Sequence, residues 1–153
     1  MTLATLRRSP VSLAAPAALA MALAACPSGG EAEHRAPRLP GVVEYYGEAA
    51  RVELPDTVRA GEAFAVVVTT YGNGCVSAAG TEVRVRGRTA EVTPYDHDQA
   101  RAPGGAECTD ELNRFAHRAA LRFPSPGPAL VRVHGLREPG AAAVTVERRV
   151  VVR

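Results

Sequence analysis

The sequence predicts an all-β fold, an antiparallel β-sandwich of about seven to eight strands. Short segments alternate apolar and polar residues, and glycine or proline stands at nearly every junction between them. From residue 41 onward, no segment shows a convincing run of apolar residues at the i, i+3, i+4, i+7 spacing of a helix. Hydrophobic residues make up 46% of the chain and charged residues 22%, which is typical of a folded domain.

The first three predicted strands lie before residue 72. Alternation over residues 42–46 and 51–54 predicts two short strands. Segment 64–71 gives the strongest prediction, because it is rich in β-branched and aromatic residues and lies between Gly61 and the turn at 72–74.

Five further segments complete the predicted domain. Segment 81–86 alternates valine with charged residues, and segment 88–94 follows a glycine as its hairpin partner. Segment 115–123 places apolar residues on one face and arginines on the other. Similar alternation predicts strands at 130–136 and 144–152.

Two stretches resemble bacterial immunoglobulin-like domains. Segment 123–134, in which a Pro-Gly turn leads into a strand, resembles the E–F corner of those domains. Segment 54–64, in which a Gly turn precedes a strand, resembles their A–B region. The resemblance covers most of residues 50–153 and implies an immunoglobulin-like sandwich. The tryptophan usual on strand C of antibody-type domains is missing, so the chain resembles a divergent relative.

Residues 1–25 have the organisation of a secretory signal peptide. Arg7 and Arg8 supply its positive charge, and an apolar run of about 13 residues follows at 11–23. A transmembrane helix needs about 20 such residues. Removing this segment leaves 16 basic against 16 acidic residues, so the formal charge of +2 belongs to the signal and does not indicate nucleic-acid binding.

The end of the signal resembles the lipobox of bacterial lipoproteins. Leu23, Ala24, Ala25 and Cys26 match its four positions. The resemblance implies cleavage before Cys26 and attachment of lipid to that residue, which would anchor the chain in a membrane. The alternative is ordinary cleavage near Ala24, which would leave Cys26 as a free thiol.

The residues after Cys26 suggest a location and a tether. Lipoproteins kept in the inner membrane of enteric bacteria usually have Asp there, whereas this chain has Pro27 and Ser28, which favours the outer membrane. Segment 26–40 is rich in proline, glycine and charge and has no hydrophobic period, which predicts a flexible tether before a domain at 41–153.

The other two cysteines, Cys75 and Cys108, are expected to form a disulfide, because an even pair in an exported protein usually does. A bridge closing a loop of this length would stabilise the fold by about 3–4 kcal/mol. The alternative is a zinc or copper site in which the two thiolates combine with His97 and His117. No pair of these residues has metal-ligand spacing, and His117 also fits the edge of the core.

Segment 95–113 is longer than an ordinary hairpin connection and is the first candidate for a binding loop. Asp96, His97 and Asp98 are its candidate binding residues. The competing interpretation is a polar loop that begins with an Asx turn after Pro94.

The outward arginines could bind a polyanion, or they could form a solvated sheet surface with glutamate partners across the strands. The arginines are Arg84, Arg86, Arg88, Arg118, Arg122 and Arg132, and the glutamates are Glu82, Glu91, Glu107 and Glu147.

The expected function is therefore that of a lipid-anchored envelope protein acting as a non-catalytic binding or structural module. Its partner would be an envelope protein or a polyanion. The chain has no G-x-S-x-G, H-E-x-x-H or phosphate-loop motif and no lysine, so no catalytic residue and no cofactor is assigned. The alternative function is a periplasmic copper- or zinc-binding protein that uses the His97 loop.

Overall fold

The computed structural model describes residues 36–153. The predicted signal peptide, Cys26 and most of the predicted tether lie outside the described residues. Within 36–153, no helix has the length and apolarity needed to cross a bilayer.

The described chain forms ten strands and one short 3₁₀ helix. The strands are β1 (Arg38–Pro40), β2 (Val42–Tyr45), β3 (Val52–Glu53), β4 (Thr57–Val58), β5 (Ala63–Gly72), β6 (Val76–Arg86), β7 (Thr89–Asp98), β8 (Asn113–Arg122), β9 (Gly127–Glu138) and β10 (Ala142–Val152), with the 3₁₀ helix at Gln99–Arg101 between β7 and β8.

The predicted all-β, sandwich-like class is confirmed, but the sheet is mixed rather than purely antiparallel. Antiparallel pairs join β5 to β8, β6 to β7 and β9 to β10. Parallel pairs join β7 to β9, β2 to β9 and β4 to β10. A period-two pattern shows which face of a strand is buried, but it does not show the direction of the neighbouring strand.

The sheet curls over one core of aliphatic side chains. Inward residues alternate with outward ones along the long strands, and Phe64 and Phe123 pack with their ring centroids 5.8 Å apart. The central side chains of this core are Val43, Val66, Val68, Val92, Leu121, Val131, Val133 and Val150.

Strand β1 lies inside the segment predicted as a tether. Arg38 pairs with His97, and Pro40 pairs with Tyr95. The folded domain therefore begins before residue 41, because these residues add a short strand to β7.

The prediction that Asp96, His97 and Asp98 lie in a loop is wrong, because β7 continues to Asp98. Pro94 suggested a turn there, but it lies opposite Thr81, where a bulge after Ala78 already interrupts the ladder of β6. A proline lacks the amide hydrogen of a regular ladder and is therefore tolerated at such a bulge.

Candidate functional site

A disulfide fastens the segment that follows β7 to the turn after β5. The sulfur atoms of Cys75 and Cys108 are 2.08 Å apart, so the two residues expected to pair are bonded in the structure. Two backbone hydrogen bonds support the same junction: Gly74 N–H donates to the Thr109 carbonyl at 3.2 Å, and Gln99 N–H donates to the Cys75 carbonyl at 3.0 Å. We call the turn 73–75 and the segment 102–112 the cross-linked loops.

The chain enters the domain beside the cross-linked loops. Asp98 N–H donates to the Pro37 carbonyl at 3.3 Å, and Nδ1 of His97 lies 3.0 Å from the Ala36 carbonyl. Because Gln99 in turn bonds to Cys75, the first described residues and the disulfide lie at the same end of the domain.

The side chains of Asp96, His97 and Asp98 do not converge on one point. Successive residues of a strand point to opposite faces, so Asp96 enters the core while His97 contacts the entering chain. Asp98 caps the 3₁₀ helix by accepting from Ala100 N–H, and it forms an ion pair with Arg101 at 3.1 Å.

The ligand set of the alternative metal site is not assembled either. The two cysteine sulfurs are bonded to each other, and His97 and His117 have separate hydrogen-bond partners. Residues 36–153 contain no group of three or more His, Cys, Asp or Glu side chains placed to hold a metal ion.

A buried polar cluster joins strands β5, β7 and β8. Thr70, Asp96 and His117 are at most 5% exposed. Nε2 of His117 lies 2.9 Å from Oδ1 of Asp96 and 2.9 Å from Oγ1 of Thr70. Nδ1 lies 3.3 Å from the Gly80 carbonyl.

The second carboxylate oxygen of Asp96 is enclosed without a partner. Its Oδ2 atom is buried and has no hydrogen-bond partner in the described part of the chain. A Cβ atom on Gly41 would lie 2.6 Å from this oxygen and 2.5 Å from Cγ2 of Thr70, so only glycine lets the chain pass here.

The buried cluster does not have the geometry of a nucleophile–base relay. In a relay the nucleophile and the carboxylate contact different ring nitrogens, whereas Thr70 and Asp96 both contact Nε2 of His117. The Thr70 side chain is also closed to solvent. The cluster therefore links strands rather than forming a relay. His117 is only 3% exposed, as expected for a histidine at the core.

Alternating charges cross the outer face of β6, β7, β9 and β10. Arg84 lies opposite Glu91. Arg132 lies between Glu91 and Glu147, and its Nε atom is 3.0 Å from the Glu147 carboxylate. Opposite charges on neighbouring strands stabilise a sheet face.

This face is concave and holds a groove of about 500 Å³. Arg38 stacks over the ring of Tyr95 at 3.7 Å and pairs with Glu82 at 2.8 Å, so it contacts two of the residues that line the groove. Glu82, Glu91 and Glu147 thus act as the predicted partners of arginine, whereas Glu107 lies in a cross-linked loop.

The six outward arginines do not form one basic face. Arg118 and Arg122 lie on β8, which pairs with β5 rather than with the groove strands, and Arg88 contacts the Pro126 carbonyl. In the groove, Arg84 forms only a long ion pair with Glu82, at 4.0 Å, and Arg86 forms none among residues 36–153. The interpretation as a charge-compensated sheet surface fits this arrangement better than a polyanion site.

Glu91 is the acidic centre of the groove. His134 donates to its carboxylate and also contacts Oγ1 of Thr145 at 3.0 Å. The hydrogen bond from His134 holds the pKa of Glu91 below its ordinary value of 4.5, and the charges of His134 and Arg132 act in the same direction.

We expect Glu91→Gln to destabilise the protein more at neutral than at acid pH. A carboxyl whose pKa is lower in the folded state stabilises the fold above its ordinary pKa, and this contribution disappears as the pH falls through the folded value. The loss at pH 7 should be below about 1 kcal/mol, because the side chain is one-third exposed. Urea unfolding at pH 7 and pH 3 measures it, with Glu62→Gln as the control. Equal losses of stability at both pH values would contradict the claim that the lowered pKa of Glu91 contributes to stability.

Three of the four tyrosines cluster beside the cross-linked loops. The ring centroids of Tyr45 and Tyr71 are 5.7 Å apart, and those of Tyr45 and Tyr46 are 4.7 Å apart. Tyr46 is 66% exposed and has a positive φ of 47°, followed by Gly47 at 89°. The sequence gives one signal for this feature, which is the turn residue Gly47 directly after two tyrosines.

A cleft of about 250 Å³ separates this tyrosine turn from the second cross-linked loop. Leu112, which is 38% exposed, lines it together with the Tyr46 ring. Asp110, Glu111 and Glu138 line the same cleft, and none of them forms an ion pair within the described chain. Glu111 accepts a hydrogen bond from Asn113 Nδ2 at 3.2 Å, and Glu138 accepts one from Gly140 N–H at 2.9 Å.

Neither a protein-family model, nor a curated protein, nor a solved structure matches this chain.

Proposed function

We propose that the protein is an exported lipoprotein of the cell envelope, and that its β-domain acts there as a non-catalytic binding or structural module. The Cys75–Cys108 disulfide carries this proposal, because disulfides form and persist in oxidising compartments such as the periplasm. The chain has three cysteines, so pairing these two leaves Cys26, which stands at the position that the lipobox resemblance assigns to lipid.

The geometry of the domain suits a short anchor. Residues 27–35 separate Cys26 from the first described residue, and that length of extended chain spans at most about 35 Å. Because the chain enters beside the cross-linked loops, the anchor would hold that end of the domain near the bilayer. Pro27 and Ser28 favour the outer membrane, with the domain facing the periplasm.

Binding is favoured over catalysis by the placement of the polar groups. Thr70, Asp96 and His117 are buried in the core. The charged groove and the cleft beside Tyr46 are instead open and concave. An envelope protein is the partner class that we favour over a polyanion, since most groove charges are compensated. No observation favours the alternative of a copper or zinc site at His97.

A Cys26→Ser variant tests the anchor. We expect the wild-type protein to incorporate labelled palmitate and to fractionate with membranes, and the variant to be unlabelled and released into the soluble fraction. The matched control is Cys75→Ser/Cys108→Ser, which removes the other two cysteines without touching the lipobox and should keep the label. Membrane retention of the Cys26 variant, or loss of label in the control, would contradict anchoring through Cys26.

A further inference from the structure

We propose that the cleft beside Tyr46 is a docking site for a basic segment of a partner protein, and that it receives an arginine or lysine side chain with apolar neighbours. We call it the Tyr46 cleft; it is lined by Tyr45, Tyr46, Asp110, Glu111, Leu112 and Glu138. The proposal rests on the geometry of the folded domain and holds whether or not Cys26 carries lipid.

The cleft gathers exposed apolar surface at one place. The described residues include four large apolar side chains that are exposed, namely Tyr46, Val85, Leu112 and Val151, and two of them line this cleft. Tyrosine is enriched at protein interfaces because its ring is apolar and its hydroxyl can bond. An exposed tyrosine and an exposed leucine lining one cleft are therefore typical of a binding surface.

The backbone of Tyr46 is unfavourable for a tyrosine. Glu48 N–H donates to the Tyr45 carbonyl at 2.9 Å, which closes a tight turn with Tyr46 and Gly47 at its centre, both with positive φ. Turns of this kind prefer Asn, Asp or Gly at the first central position. With two-thirds of Tyr46 exposed, folding gains little from the ring, so its presence needs another explanation.

The charge of the cleft selects the occupant. Among residues 36–153, Asp110, Glu111 and Glu138 line it, and no arginine or histidine does. The glutamates of the groove, by contrast, pair with arginines. A guanidinium or ammonium group can bond to carboxylates and lie over an aromatic ring at once, whereas a phosphate would be repelled. The acidic lining therefore favours a basic side chain as the occupant. The exposed apolar residues of the cleft favour a peptide with apolar neighbours on either side of that side chain.

The test uses a fluorescently labelled twelve-residue peptide in which arginine and leucine alternate, with a glutamate–leucine peptide as its counterpart. Fluorescence anisotropy with the full chain in detergent should show binding of the arginine peptide alone, weakening as salt is added. We expect Tyr46→Asn to weaken binding at least tenfold, and Asp110→Asn/Glu111→Gln to weaken it by a similar factor.

Asparagine suits positive φ, so Tyr46→Asn should not lower the midpoint of thermal unfolding, and lost binding cannot then be attributed to misfolding. Asp56→Asn removes an acid outside the cleft and should leave binding unchanged. Equal affinity of wild type and Tyr46→Asn, or equal binding of both peptides, would overturn the proposal. Wild-type self-association that Tyr46→Asn abolishes would also overturn it, because the occupant would then be a second copy of this chain.

Discussion

Replacing His117 by leucine should lower the free energy of unfolding by about 3–5 kcal/mol, since it leaves a buried charge without a partner. His117 is the partner of the Asp96 carboxylate, whose other oxygen already has none. Leucine has nearly the volume of histidine, so the loss should reflect the carboxylate rather than a cavity. Urea unfolding of wild type and variant at neutral pH measures it.

A double variant separates this cause from a loss of packing. His117→Leu/Asp96→Val removes both members of the pair, and apolar side chains of similar size often replace a buried pair at little cost. We therefore expect the double variant to be more stable than His117→Leu alone, with a coupling of at least about 1 kcal/mol. Strictly additive losses would show that the two residues contribute independently. Glu62→Ala, at an exposed ion pair with Arg59, should change stability by less than about 0.5 kcal/mol.

Removing the disulfide is expected to have the second largest effect. The bonded cysteines are 33 residues apart, and the loss of loop closure in the unfolded chain corresponds to about 3–4 kcal/mol. The double substitution Cys75→Ser/Cys108→Ser should therefore shift urea unfolding to markedly lower concentrations. Its hydrogen exchange should also be faster at Gly74, whose N–H bonds to Thr109 across the junction.

Reduction of the wild-type protein provides the matched measurement. With dithiothreitol, its unfolding midpoint should fall to that of the serine variant, whereas the variant should not respond. A wild type that keeps its midpoint after complete reduction would show that the bridge adds nothing to stability.

The long strands could be predicted because their chemistry is local. Alternation placed β5, β8, β9 and β10 within three residues of their observed ends, since burial of one face leaves a direct period-two pattern. It missed the first five residues of β6 and the last four of β7, where the bulge and Pro94 interrupt the pattern. Strands β1 and β4 have three and two residues and form only by pairing with β7 and β10. Such short strands carry no periodicity of their own, so their partners determine them.

The site was predictable only where covalent chemistry limited the choice. Once the lipobox resemblance assigned Cys26 to lipid, the three cysteines left a single possible pair, Cys75 and Cys108. The polar cluster draws Thr70, Asp96 and His117 from three strands, and their meeting depends on how the sheet curls. The Tyr46 cleft likewise depends on where the loop 102–112 returns, which spacing along the chain does not reveal.

The aliphatic core cannot by itself define how the strands align. Segments such as Val66–Val68 and Val131–Val133 present nearly equivalent inward side chains, so a slip of two residues would keep an apolar face inward at small cost. The same slip of β8 along β5 would carry His117 away from both Thr70 and Asp96, stranding a buried carboxylate. The three polar side chains therefore make the native strand alignment more stable than the slipped alignments that the valines alone would allow. The most polar residues of the core thus determine which single alignment the strands adopt.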